Sequence, residues 1–194
     1  MQQISEFTQT VEQMKRLGFE VPKKTMIRVP DAHQLLANAM FHFLGGGFQW
    51  LPEYDQVADW LTDNKGTGLF MYGQNGRGKT VLAQRVLPAI FLQYFNLVLK
   101  VVNAQQMNSE LESLLKKRVV SLDDVGTEDV RMNYGERCWA FPEIIDSAEK
   151  KGHLVVITTN LGRDEIAQKY GIRTLERIKS TTTRILFKGV SMRK

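Results

Sequence analysis

The segment that most narrows what this chain can fold into is Gly73-Gln74-Asn75-Gly76-Arg77-Gly78-Lys79-Thr80. It matches the pattern Gly-x4-Gly-Lys-Ser/Thr, and it stands between an apolar run, Leu69–Met71, and a stretch of helical character that begins near Lys79. The pattern needs that context. Glycines let the backbone curl until its N–H groups converge, and a helix start adds positive potential at the same point. Such a loop binds phosphate oxygens. Gly73, Asn75, Gly76, Arg77, Gly78, Lys79, Thr80 and Val81 are the expected nucleotide contacts. The Lys79 ammonium is expected on the β- and γ-phosphates of ATP, and the Thr80 hydroxyl on Mg2+.

From Gly68 onward, short apolar runs alternate with amphipathic stretches. Strands are expected at Leu69–Tyr72, Leu97–Val102, Val119–Leu122, Leu154–Thr158 and Arg184–Phe187, with helices between them, one from about Gln105 to Lys117. Nearly continuous apolar strands that alternate with helices indicate an α/β protein with a five-stranded parallel sheet covered on both faces. Pro88 and Pro142 fall inside expected helices, where a kink or break is expected. Residues 1–65 read differently. Ile4, Phe7, Val11, Met14 and Leu17 have the spacing of an amphipathic helix. Val21–Pro30, with two prolines, reads as a connector. Asp31 is placed to cap a second helix that Gly45-Gly46-Gly47 ends near Leu44. A third follows Pro52, with Tyr54, Val57, Trp60 and Leu61 on one side. The expected division is a helical N-terminal appendage, 1–65, and a nucleotide-binding core, 66–194.

Two strand ends carry chemistry. In open α/β sheets ligands gather at the carboxyl ends of strands, and the run Val119–Leu122 ends in Asp123-Asp124. Asp123 is placed to hold Mg2+, largely through its waters, and Asp124 to orient or activate the attacking water. The run Val155–Ile157 ends in Thr158-Thr159-Asn160. One complete strand, Leu97–Val102, lies between the phosphate loop and Asp123. This suits the P-loop class with an added strand better than it suits the small metabolite kinases. Further on, Tyr170–Ile178 reads as a helix with Arg173 and Arg177 four residues apart and so on one face. A cation there could reach the γ-phosphate of a neighbouring subunit.

Composition excludes other classes. Hydrophobic residues at 43% and charged residues at 24% are ordinary for a soluble globular protein. No apolar run approaches the roughly 18–20 residues of a membrane helix, and the N-terminus lacks a signal-peptide pattern. Cys138 is the only cysteine, so a reducing, cytoplasmic setting is expected. His33, His42 and His153 show no ligand spacing with it, so no metal site of protein ligands alone is expected. The net charge of +5 hides an asymmetry, since eight basic residues stand against one acid between Gln168 and Lys194. That segment suggests a polyanion partner.

Taken in order, Gly73 to Thr80, Leu122-Asp123-Asp124-Val125-Gly126-Thr127-Glu128, Thr158-Thr159-Asn160, Tyr170–Ile178 and Phe187-Lys188-Gly189-Val190-Ser191-Met192-Arg193 resemble the DnaC/IstB group of AAA+ ATPases. That group comprises bacterial replicative helicase loaders, phage counterparts and transposition helper ATPases, and the resemblance spans about Gly66 to the C-terminus. It implies an AAA+ core without the helical C-terminal lid domain, and hydrolysis of ATP to ADP and phosphate. It implies that Asn160 is sensor 1, contacting the γ-phosphate or the attacking water, and that Arg193 is sensor 2. Arg177 is the implied finger, with Arg173 one turn earlier in reserve. It also implies a role in DNA replication, with single-stranded DNA near the centre of an ATP-dependent homo-oligomer and a replicative helicase as partner. The alternative within the group is a transposition helper that binds duplex DNA and activates a transposase. Outside it stand a metabolite kinase, for which no Arg-bearing lid is visible, and a non-hydrolysing scaffold, which would lack Lys79 or Asp123.

Overall fold

A computed structural model describes residues 2–19, 22–133 and 136–192. The N-terminal part holds α1 (Gln2–Arg16), α2 (Ala32–Leu44) and α3 (Pro52–Thr62). Then come β1 (Gly68–Gly73), α4 (Lys79–Val81), α5 (Leu87–Phe95), β2 (Lys100–Asn103), α6 (Met107–Leu114) and β3 (Val119–Val125). Two short antiparallel strands, β4 (Arg131–Asn133) and β5 (Glu136–Cys138), come before α7 (Ala140–Lys151) and β6 (Leu154–Thr159). The last elements are α8 (Arg163–Tyr170), α9 (Ile172–Thr181) and β7 (Thr182–Phe187). Five strands form one sheet in the order β2-β3-β6-β1-β7, every neighbouring pair parallel.

Alternation along the strands builds two cores. Leu69, Met71, Val119, Leu154, Val156, Ile185 and Phe187 face one layer, made by α2, α3 and α5. Phe70, Val120, Leu122, Val155 and Ile157 face the other, made by α6, α7, α8 and α9. Successive strand residues point to opposite faces, so a strand buried on both sides must be apolar at nearly every position, as at Leu69–Met71, Val119–Leu122 and Leu154–Ile157.

The segment from Thr25 to Thr62 is part of this packing. Ile27, Val29, Leu36, Val57 and Leu61 are fully buried in the same cluster as β1 and α5, and the Trp60 ring stacks on Phe91 with centroids 6.4 Å apart. Asn64 ties the connector to the strand, accepting from Ile27 N–H at 2.8 Å and donating to Thr25 O at 3.0 Å. The boundary expected at residue 65 therefore does not separate two cores. By contrast, α1 leaves Phe7, Met14 and Leu17 exposed.

Several local expectations shift. Asp31 takes a left-handed conformation (φ 52°) and makes no side-chain cap, while Gly45 closes α2 through its N–H to Phe41 O at 2.8 Å. Asn96, also left-handed, ends α5, so β2 starts at Lys100 rather than Leu97. The helix expected from Gln105 opens as a 3-10 turn, Ala104–Gln106, and α6 ends at Leu114. Before Pro88, residues Leu82–Val86 form a π-turn that joins α4 to α5, a wide turn that accommodates a residue lacking an N–H. Pro142 causes no break because it lies in the first turn of α7, where backbone N–H groups have no helical partner anyway. Among the described residues no helix is long and apolar enough to cross a membrane.

Because residues 25–62 share a core with the sheet, Leu61→Ala should lower the stability of the whole chain by about 2–5 kcal/mol. Urea denaturation should show one transition shifted to lower midpoint. A separate early transition would mean that the segment folds on its own.

Candidate nucleotide-binding site

The phosphate loop leaves β1 at Gly73 (φ +106°). A Cβ there would lie 2.4 Å from Phe187 O, because Gln74 N–H reaches the same carbonyl at 2.8 Å. Gly78 (φ +85°) is equally obligatory, since a Cβ would lie 2.6 Å from the Tyr54 hydroxyl, which donates to Arg77 O at 3.1 Å. These contacts brace the outer side of the loop with α3 and the C-terminal tail. Met192 N–H donates to Gly76 O at 2.9 Å, and Gly189 N–H to Gln74 Oε1 at 2.8 Å.

Arg77 was expected among the nucleotide contacts, but its side chain is committed elsewhere. Its Nε and Nη2 each donate at 2.9 Å to the two oxygens of Glu53, and Nη1 donates to Val190 O at 3.1 Å. Glu53 Oε1 also accepts Lys188 N–H at 3.0 Å. Both side chains are buried, at 4% and 7% exposure. Only the backbone of Arg77 is left to face a phosphate. Burial pushes the Glu53 carboxyl upward, but the hydrogen bonds from Arg77 and from the backbone together outweigh it and hold the group below its ordinary range.

Across the loop, the ends of β3 and β6 converge on Lys79. Its Nζ donates to Gly73 O and Gln74 O at 2.7 Å each and to Asn160 Oδ1 at 3.1 Å. Asn160 Nδ2 in turn donates to Asp124 Oδ1 at 3.0 Å. Asp124 sits in a bulge, where the register of β3 on β6 shifts between Leu122 and Val125, and its backbone is left-handed (φ 60°). A bulge re-aims a side chain that a regular strand would bury. The strand expected to stop at Leu122 instead continues through the two carboxylates to Val125. Thr158 fixes both acids, accepting from Asp124 N–H at 2.8 Å and donating to Asp123 Oδ1 at 2.6 Å. Gln84 Nε2 donates to Asp123 Oδ2 at 2.7 Å.

These groups line a cleft of about 770 Å³ together with Asn75, Thr80 and Val81. Among the described residues no cluster of three or more His, Cys, Asp or Glu could hold a metal alone. The donor set fits a nucleotide-bound Mg2+. Asp123 uses one lone pair on each oxygen and keeps others, and Thr80 adds a hydroxyl in the same cleft. The opposite wall was not anticipated. Leu44, Gly47, Phe48, Gln49 and Tyr54 come from the N-terminal part, and Met192 from the tail. Phe48 stacks on Tyr54 at 5.8 Å. The signal in the sequence was the aromatic series Phe48, Trp50, Tyr54 directly after three glycines, which serve as more than a helix stop.

The arginines divide. Arg177 ion-pairs with Asp146 and, at 3.0 Å, with Glu149 of its own chain, and its side chain is only 16% exposed. Arg177, the arginine implied as the finger, is tethered here to α7 of its own chain. Arg173, one turn earlier, is exposed and makes no direct ion pair among the described residues, though its charge also helps hold the Asp146 carboxyl below its ordinary range. Arg193 lies outside the described residues. Glu128, buried, accepts the Tyr170 hydroxyl and, at 2.8 Å, Gly126 N–H, clamping the loop after β3 to α8. Burial, and then that Glu128 bond, push the Tyr170 phenol far above its ordinary range.

Breaking the pair beneath the loop should cost both stability and affinity. Glu53→Gln leaves a buried guanidinium half-paired, a change worth about 3–5 kcal/mol. The folded value of Glu53 is depressed, so its contribution is full above the ordinary carboxylate range and fades as pH falls through the lowered value. The stability gap between wild type and variant, measured by chemical denaturation, should be wide at neutral pH and close in acid. A gap that does not change with pH would contradict this assignment.

No family model and no curated protein sequence matches this chain. Solved structures do. The DnaC helicase loader superposes with a TM-score of 0.59 at 18% identity over 79% of this chain and 98% of that one. DnaI superposes at 0.52 and 24% identity, over 66% of this chain and 73% of that one. A putative primosome component from Streptococcus pyogenes serotype M3 gives 0.51 at 14% identity, over 84% and 81%. Each is below 25% identity, so the likeness is one of fold. With the sheet order, the phosphate loop and the acidic bulge already described, the chain has the P-loop AAA+ fold of the DnaC/IstB type.

Proposed function

We propose that this chain is an ATP-binding and ATP-hydrolysing switch protein of DNA replication, a helicase loader or a close counterpart. The observation that carries the reading is the hydrogen-bonded chain Lys79–Asn160–Asp124, which spans the ends of β1, β6 and β3 at the mouth of the phosphate loop. A γ-phosphate bound there would take the place of the loop carbonyls and Asn160 as partner of Lys79. Asn160 and Asp124 would then be free to hold a water against it. Asp124 accepts the proton of that water as it attacks phosphorus, and ADP carries off the charge of the broken bond. Thr80 and Asp123 would hold Mg2+, whose charge offsets that of the phosphates. Fold likeness to a helicase loader, to DnaI and to a primosome component supports replication as the setting. On this reading the partners are a replicative helicase and single-stranded DNA, bound by an ATP-dependent homo-oligomer.

Lys79→Ala should abolish ATP affinity while keeping the thermal transition. Asp124→Asn should keep ATP bound and slow hydrolysis about a hundredfold or more, the scale of general-base loss. Loss of binding in Asp124→Asn would make that carboxylate a metal ligand instead.

Arg173 completes the ATP site of an adjacent protomer in this scheme, since it is the arginine of α9 left outside any ion pair. Its planar fork suits several phosphate oxygens at once. Mixtures of Lys79→Ala and Arg173→Ala, each inactive alone, should regain part of the hydrolysis at hybrid interfaces. Arg177→Ala should lower the unfolding midpoint instead. Co-assembly without any recovered activity would remove Arg173 from this role.

A further inference from the structure

Every strand of the main sheet runs the same way, so the segments just before the strands meet at the pole opposite the nucleotide cleft. Lys65 precedes β1, Lys116-Lys117-Arg118 precede β3, and Lys150-Lys151 precede β6. The N-terminal connector brings two more cations to that pole. A Cβ on Gly152 would lie 3.0 Å from the Lys23 carbonyl, and one on Gly66 would lie 2.9 Å from the Lys24 Cβ. Backbone and side-chain bonds knit these segments together. Leu154 N–H donates to Arg118 O at 2.8 Å, Arg118 Nη2 to Thr25 Oγ1 at 3.5 Å, and Lys151 Nζ to Leu115 O at 3.3 Å.

All eight cations are exposed. Lys150 pairs with Asp146 at 2.6 Å, and the other seven have no carboxylate partner among the described residues. Two nearby acids are paired and a third keeps its charge. Asp146 and Glu149 hold Arg177, and Asp63 accepts Lys65 N–H at 3.0 Å. The chain carries only +5 overall, so the rest of it is net negative. Three cations of the basic C-terminal segment are held in contacts of their own. Lys169 lies 4.4 Å from the Trp139 ring centroid, Lys179 bonds Glu176 at 2.5 Å, and Arg177 is tethered.

We propose that this pole is a second anion-binding surface that seats the sugar–phosphate backbone of duplex DNA, separate from the nucleotide cleft. A single strand held without sequence preference needs rings for its bases to stack on. Residues 22–26, 64–67, 115–118 and 150–153 contain no Phe, Tyr or Trp, and their cations match a backbone. Long side chains on rigid strand starts suit phosphates, which position a duplex without reading it.

The test is fluorescence anisotropy with a short labelled duplex and its separate single strand, without nucleotide, across a salt series. This keeps the outcome independent of the ATP reading. The triple variant Lys23→Gln, Lys116→Gln, Lys117→Gln should lose at least tenfold in duplex affinity. Its log–log salt slope should flatten by about 0.9 for each lost phosphate contact. The corresponding triple Arg variant should restore both, and ATP affinity should be unchanged in either. Unchanged duplex affinity and slope in the Gln variant would overturn the proposal. So would a wild type that binds only the single strand, or neither nucleic acid at low salt.

Discussion

The buried pair of Glu53 and Arg77 joins three parts of the chain that have no covalent reason to meet. Glu53 belongs to α3, Arg77 to the phosphate loop, and the same two side chains accept Lys188 N–H and donate to Val190 O in the tail. A buried charge pair is a poor source of net stability compared with an apolar contact of equal size, yet removing one partner is costly. What it supplies here is position. Without it the outer side of the loop would keep only the Tyr54 hydroxyl and the tail contacts at Gly189 and Met192. With it the glycines can adopt their left-handed angles while their N–H groups keep a fixed direction.

The position of that pair explains why the cleft has two kinds of wall. The phosphate end is built by the core, from the loop, the bulge at Asp123-Asp124 and the polar end of β6. The opposite end is built by residues 44–54 and Met192, which reach the cleft because α3 and the tail are fastened to the loop. A nucleotide in this cleft would touch segments separated by most of the sequence. Its binding would therefore favour one arrangement of α2, α3 and the tail, the physical requirement for a switch.

The central elements were legible in the sequence because each was dictated by one dominant local rule. Apolar runs marked the five strands, with two-sided burial only in the three central ones, and the Gly-x4-Gly-Lys-Thr pattern between strand and helix marked the loop. What was not legible depended on partners far away in the chain. Arg77 reads as a loop residue until Glu53 is seen beside it, and Arg177 reads as a free cation until Asp146 and Glu149 are seen to flank it. The bulge at Asp124 leaves no trace in periodicity, since both of its residues are acidic and a one-residue slip in register changes nothing that hydropathy can report. The placement of charge was no more legible. In the basic segment after Gln168, Lys169, Arg177 and Lys179 lie beside acids of the same chain, whereas the cations at the opposite pole are scattered in sequence and gathered by strand direction.

The central claim is that the cleft at Lys79, Asp123 and Asn160 is a Mg2+-dependent ATP site. Isothermal titration of the purified chain with a non-hydrolysable ATP analogue tests it most directly, run with Mg2+, with chelator, and with Lys79→Ala. The account predicts one nucleotide per chain, weaker binding without Mg2+, and no measurable heat in the variant. Equal binding by wild type and Lys79→Ala, or none by the wild type, would contradict it.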